Sequence, residues 1–161
     1  MIYIRELRRE DDLHDIITLS RDFFQEYEAY HQDFFKIDQL SDSDIVNYFS
    51  RWIENENGKA FIALAEDRLV GYITVYVHEQ APYWKVKKVG DISGLMVHRD
   101  HRRRGIANQL LAHARAFFAK HGVRYFTLFT ATENKAGIAF YERNGLIHLH
   151  TTMLGVSQTA S

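Results

Sequence analysis

The stretch from Val89 to Ala131 constrains the fold more than any other. "VGDISGLMV" (Val89–Val97) is β-rich, and a loop with three consecutive arginines then runs into Gly105. A helical pattern starts at once, with Ile106, Leu110, Leu111, Ala114, Phe117 and Phe118 on one side. His121-Gly122 ends it, and "VRYFTLFTA" (Val123–Ala131) is β-rich again. A strand, crossover helix and second strand of this kind place the two strands parallel and adjacent. Gly94, inside the first strand, suggests a bulge or the close approach of a ligand backbone.

The flanks fill in the rest. "IYIREL" (Ile2–Leu7) alternates like a strand, and Asp11 or Asp12 can cap a helix carrying Ile16, Ile17, Phe23 and Phe24. "SDSDIVNYFSRWI" restarts a helix, capped by Ser41 or Asp42 and ended by Asn57-Gly58. "AFIALAE" and "LVGYITVYVHE", separated only by "DR", read as an antiparallel hairpin. "APYW", which holds the only proline, breaks the second run. After Ala131 come a short helix, "ENKAGIAFYERN", and a last strand, "LIHLHTTML" (Leu146–Leu154). With 161 residues, this order predicts one domain, residues 1–161. Its class is mixed α/β (α+β), with helices on both faces of a twisted sheet.

Several function classes lose support. No cysteine is present, so there is neither a disulfide nor a thiolate nucleophile. "MIYIRELRRE" is charged within five residues and lacks an apolar core, unlike a secretory signal. No run approaches the ~18 apolar residues of a membrane span, so no membrane partner and a cytoplasmic location are expected. His148 and His150 share one face of the last strand but have no third ligand in an H-E-x-x-H or comparable set, so no metal is expected. The net charge of −1 predicts no polyanionic partner. No stacking-plus-basic signature of nucleic-acid binding is present either. The charge is unevenly spread, however. Arg21–Glu56 is mostly acidic, and Lys85–Arg124 is mostly basic. One region suits a cation and the other an anion.

A glycine before a helix lets the backbone turn where a side chain would block a ligand. The first N–H groups of the helix have no intrahelical partner, and the helix dipole adds positive potential there. Taken alone, "RRRG" is either a solvated basic helix start or a site for phosphate. It matches neither a Walker A loop nor G-x-G-x-x-G.

Arg102-x-x-Gly105-x-Ala107, five residues after a strand ending Leu95, Met96, Val97, resembles the R/Q-x-x-G-x-G/A acetyl-CoA motif of the GNAT N-acetyltransferases. "ENKAGIAFYERNGL" (Glu133–Leu146) is similar to a second segment of that family, N-x-x-A-x-x-x-Y-x-x-x-G-F. Arg99 and Arg103 stand where many relatives have proline and glycine. The resemblance implies the GNAT fold: a central, mostly antiparallel sheet with one parallel, splayed strand pair. It implies acetyl-CoA as co-substrate. The backbone of Leu95, Met96 and Val97 would pair with the pantetheine arm. The N–H groups of Arg102, Arg103, Arg104, Gly105, Ile106 and Ala107 would hold the pyrophosphate. Asn134 and Phe140 would add contacts to the arm.

Acetyl transfer to an amine needs a base for the ammonium proton and an acid for the leaving thiolate. The resemblance implies Tyr141 as the acid. Asp91 stands where many relatives carry a base, equally readable as a strand-edge aspartate. A water chain is the alternative, Ser93 a weaker helper, and His78 is read as an exposed histidine at a strand end. The acceptor is expected to be a small amine-bearing cation. Acids mix with Tyr27, Tyr30 and Phe34 in one connection, and with Tyr83 and Trp84 in another. Aromatic faces attract ammonium groups. The same aromatics can instead pack in the core or at a homodimer contact. A GNAT-fold protein that binds acyl-CoA without catalysis is the rival reading.

Overall fold

A computed structural model describes residues 1–158. Its centre is a five-stranded sheet in the order β1-β2-β3-β4-β5. Ile2–Glu6 (β1), Gly58–Ala65 (β2), Arg68–Glu79 (β3) and Lys88–Val97 (β4) pair antiparallel in succession. Phe126–Leu128 (β5) pairs parallel with β4. The crossover between these last two strands is the helix Ile106–Lys120 (α3).

Between β1 and β2 lie His14–Glu28 (α1) and Asp42–Ser50 (α2). Helix α2 begins in a reciprocal capping box, in which Ser41 accepts from the Asp44 N–H and Asp44 accepts from the Ser41 N–H. Helix α1 starts differently. Leu13 holds the cap position without a side-chain bond, while Asp12 accepts from the His14 N–H at 2.9 Å. Asp11 is occupied elsewhere, gripping the Arg5 guanidinium with both oxygens at 2.7 and 2.8 Å. Helix α2 also stops at Ser50 rather than running to Asn57.

The period-two pattern of the strands divides two cores. On one face α3 lays Leu110, Leu111, Ala114 and Phe118 over Ile73, Val75 and Ile92. On the other, α1 and α2 bring Ile16, Leu19, Ile45 and Phe49 onto Ile62, Tyr72 and Met96.

The far edge of the sheet departs from the sequence pattern. β5 spans three residues, not the nine of Val123–Ala131. The helix Lys135–Arg143 (α4) forms, but Leu146–Leu154 is not a strand. Alternation gives a segment two faces, but only a neighbouring backbone makes it a strand. Among the described residues β5 pairs with β4 alone, and Leu146–Leu154 forms no ladder on its other edge.

Candidate active site

The sheet opens where β4 changes partners. Opposite β3, Thr74 faces Gly94 and Val75 faces Ile92, which leaves Ser93 as the extra residue of a bulge. Two hydroxyls hold it: Ser93 Oγ lies 2.7 Å from Tyr48 Oη and 2.8 Å from Thr74 Oγ1, and Tyr48 Oη lies 3.0 Å from Thr74 Oγ1. Opposite β5, pairing runs Gly90 with Phe126, Asp91 with Thr127 and Ile92 with Leu128, and ends there. Leu95, Met96 and Val97 therefore keep β3 on one side and, among the described residues, have no strand on the other.

The arginine loop closes this gap. A 3₁₀ turn, Arg99–His101, leads into it, and Arg103 and Gly105 both take left-handed backbone, with φ of 61° and 78°. That conformation suits Gly105 and costs Arg103 about 1 kcal/mol. Ile106 is buried and Ala107 packs against the core, which fixes the direction of the first helical turn. The Arg102 side chain turns back to the sheet. Its Nε donates to the Val97 carbonyl at 2.9 Å and its Nη2 donates to Glu26 Oε1 of α1 at 2.8 Å. Arg103 and Arg104 are exposed.

Asp91 sits directly opposite Tyr76, one residue before the point of splay. The Tyr76 hydroxyl donates to Asp91 Oδ2 at 3.3 Å, and His78 Nε2 lies 3.5 Å from the same oxygen. Burial pushes the Asp91 carboxyl above the usual carboxylate range, against the opposing pull of His78 and Tyr76. The Tyr76 ring stacks on Trp52 at 5.6 Å, which orients it. Sequence reading missed Tyr76; His78 is exposed as expected but lies beside Asp91. The signal was the period of two along β3, which puts both on one face across from Asp91.

Helix α4 follows β5 in the chain. Asn134 caps it, accepting from the Gly137 N–H at 3.2 Å and donating to Thr130 Oγ1 at 2.9 Å. A Cβ on Gly137 would come within 2.4 Å of the Asn134 amide nitrogen, so this turn requires glycine. Phe140 packs against the α3-side core, and its ring lies 5.2 Å from Tyr141. Burial pushes the Tyr141 hydroxyl up to about 12, and Tyr27 of α1 adds to the shift.

The expected pocket aromatics fall into two groups. Tyr27 touches Tyr30 at 5.2 Å and Phe35 at 4.9 Å, and Phe35 touches Phe34 at 5.3 Å. Tyr83 and Trp84 pair only with each other, at 5.4 Å and largely exposed, in the connection between β3 and β4. No ring contact joins the groups among the described residues, and no hydrogen bond or ion pair links Asp91 to Tyr141. No cluster of metal-ligating groups occurs among the described residues, and no helix is long and apolar enough to cross a membrane.

A bulged strand, a splayed parallel pair and a glycine-led helix mark a mixed α/β domain with a gap at its parallel pair. The pattern of the acetyltransferase (GNAT) family matches residues 18–146, and the chain belongs to that family. It is 27% identical over 138 residues to an uncharacterized N-acetyltransferase of Methanocaldococcus jannaschii. That match covers 84% of this chain but 57% of the archaeal protein. The fold is shared with a Bacillus halodurans protein solved as a tetramutant, at a TM-score of 0.83, 19% identity and coverage of 96% and 99% of the two chains. It is shared too with an aminoglycoside N-acetyltransferase in complex with CoA, at 0.71, 16% identity and coverage of 99% and 96%.

Proposed function

We propose that the chain transfers the acetyl group of acetyl-CoA to a primary amine of a small, cationic acceptor, by direct attack within a ternary complex. The gap in the sheet carries this reading. Beyond Ile92 the β4 edge has no strand partner, and the gap ends at left-handed Gly105 and the start of α3. A pantetheine arm can add there as a strand along Leu95, Met96 and Val97. A pyrophosphate suits the N–H groups from Arg102 to Ala107, with Arg103 and Arg104 adding positive potential. Asn134 and Phe140 stand on the α4 side. Acetyl-CoA supplies the activated thioester when bound, and the remaining tasks fall to this chain.

Asp91 takes the ammonium proton, through a water where the acceptor lies beyond direct reach. Its raised pKa makes it a stronger base than an ordinary carboxylate, and His78 and Tyr76 hold its orientation. Tyr141 keeps its proton at neutral pH and donates it to the leaving sulfur. The Tyr27, Tyr30 and Phe34 group and the Tyr83–Trp84 pair, each in a stretch of sequence that also carries acids, favour a polyamine-like or amino-sugar acceptor. The fold shared with an aminoglycoside acetyltransferase supports that class. A cytoplasmic setting and independence from metal and nucleic acid belong to the same proposal.

Titration calorimetry with acetyl-CoA tests it. Wild type is expected to bind in the micromolar range, and Gly105→Glu, which puts a charged side chain on left-handed backbone at the loop, is expected to lose binding. An amine panel read by thiol release then finds the acceptor. Tyr141→Phe is expected to keep binding and lose most turnover. No binding by wild type with an intact circular dichroism spectrum rejects the acetyltransferase reading. Equal turnover in Tyr141→Phe rejects its role as acid.

A further inference from the structure

Three hydroxyls close a ring at the β4 bulge. Tyr48 Oη, Thr74 Oγ1 and Ser93 Oγ lie 2.7 to 3.0 Å from one another, and Ser93 Oγ is also 3.3 Å from the Thr74 carbonyl. A hydroxyl carries one O–H and two lone pairs. A ring of three spends its O–H groups inside, so it turns lone pairs outward. Thr74 is fully buried, and Tyr48 is half-buried, flanked by the Arg51 guanidinium at 5.3 Å and the Trp52 ring at 6.3 Å. Ser93 is the exposed corner of the ring. Its outward oxygen accepts hydrogen bonds and does not donate them.

The same face of the sheet carries Asp91. Thr74, Tyr76 and His78 alternate along β3 and share one side; Ser93 reaches the first of them and Asp91 the other two. Two positions along a strand span about 7 Å, a gap that one nitrogen and one water fill. A proton acceptor and an acceptor-only hydroxyl thus border one space.

We propose that Ser93 Oγ holds the one N–H that the acceptor amine keeps, and so selects primary amines over N-substituted ones. On the acetyl-transfer reading, on which this role rests, a primary ammonium brings three N–H bonds. One proton goes to Asp91 and frees the lone pair, which bonds to the thioester carbon. As the intermediate collapses the C–S bond breaks, the sulfur takes the Tyr141 proton, and the nitrogen's second proton makes good that loss through solvent. The third N–H stays on the product amide, and Ser93 can hold it from bound amine to product. A secondary ammonium has two N–H bonds and loses both, so Ser93 must release the second before the product forms. Tyr48 and Thr74 keep the Ser93 O–H turned inward, where it cannot bind the lone pair that attacks.

Putrescine and its N,N′-dimethyl form are the probes, read by thiol release. Wild type is expected to favour putrescine in kcat/KM by about tenfold, the worth of one hydrogen bond. Ser93→Ala is expected to lose that factor on putrescine, with the dimethyl rate and the calorimetric Kd for acetyl-CoA unchanged. Ser93→Thr, which keeps the hydroxyl, is expected to restore it. A Ser93→Ala protein that gains on the dimethyl form and loses nothing on putrescine overturns the proposal, because the serine then only excludes bulk. Weaker acetyl-CoA binding with an equal fall in both rates overturns it too, because the serine then only shapes the bulge. Equal wild-type rates with the two amines have the same force, as does a selective wild type that Ser93→Ala leaves unchanged. A wild type that binds no acetyl-CoA, or releases no thiol with either amine, instead refutes the transfer reading and takes this role with it.

Discussion

Strands β2 and β3 bury most of their residues and β4 half, between helices on both faces, whereas β5 and α4 hold only partly buried and exposed residues. The candidate site lies on the border between these two regions. Asp91, Tyr76, His78 and the pinned bulge belong to the packed side, and Tyr141, Asn134 and Phe140 belong to the loose side. Dense packing allows little movement, while a region with few buried contacts opens at low cost. The difference teaches a division of labour. On the proposed function, the packed side would fix where the acceptor amine meets its base, and the loose side would yield to admit a cofactor arm between β4 and β5.

The largest expected effect tests whether the packed side carries function at a cost in stability. Asp91→Asn is expected to lower kcat by about 10²–10⁴-fold, the usual range for loss of a general base. A carboxyl whose folded pKa is raised binds its proton more readily folded than unfolded. Its ionised form therefore costs stability at neutral pH, and the cost fades as pH falls through the raised folded pKa and is gone below the unfolded value. Asp91→Asn should accordingly melt at or above the wild-type temperature at neutral pH, with the gap closing in acid. The wild-type rate should fall with acidification at a pH above the ordinary carboxylate range. Unchanged kcat would move the proton transfer to a water chain.

The packing contrast itself comes next. Phe118 of α3 is 2% exposed and stacks on Phe126 at 5.1 Å. Phe118→Ala is expected to cost about 3–5 kcal/mol in urea denaturation. Ile138→Ala, on half-buried α4, is expected to cost no more than about 1–2 kcal/mol, since less surface leaves the interior. Equal costs would show α4 to be as firmly packed as α3 and would remove the proposed compliance of that side.

This boundary also separates what the sequence could reveal from what it could not. The crossover over Val89–Ala131 had one sterically favoured outcome, and the parallel β4–β5 pair follows from it. Ser41 and Asp44 announced the start of α2, because a capping box is a local device. Gly94 pointed to the bulge that forms at Ser93. The Asp91–Tyr76–His78 cluster was harder, since it depends on cross-strand register, and no short window contains both strands. Leu146–Leu154 read as a strand because alternation is local, but a strand also needs a neighbour. The Arg102–Glu26 bond joins residues 76 positions apart and left no trace in either segment.

That last bond ties the packed α1 to the arginine loop and gives the smallest expected effect. Both side chains are about two-fifths exposed, at 41% and 37%. An ion pair so exposed contributes about 0.2–1 kcal/mol. Glu26→Gln should therefore barely change the melting temperature. Its effect on CoA binding depends on what the bond does. If Glu26 only neutralises Arg102, removing its charge leaves the guanidinium free for phosphate, and affinity rises a few-fold, more at low salt than at high. If Glu26 positions Arg102 so that the Val97 carbonyl and the loop hold their shape, affinity falls instead and the salt dependence changes little. The site's geometry favours the first outcome. Arg102 Nε already holds the Val97 carbonyl at 2.9 Å, an anchor that does not need Glu26.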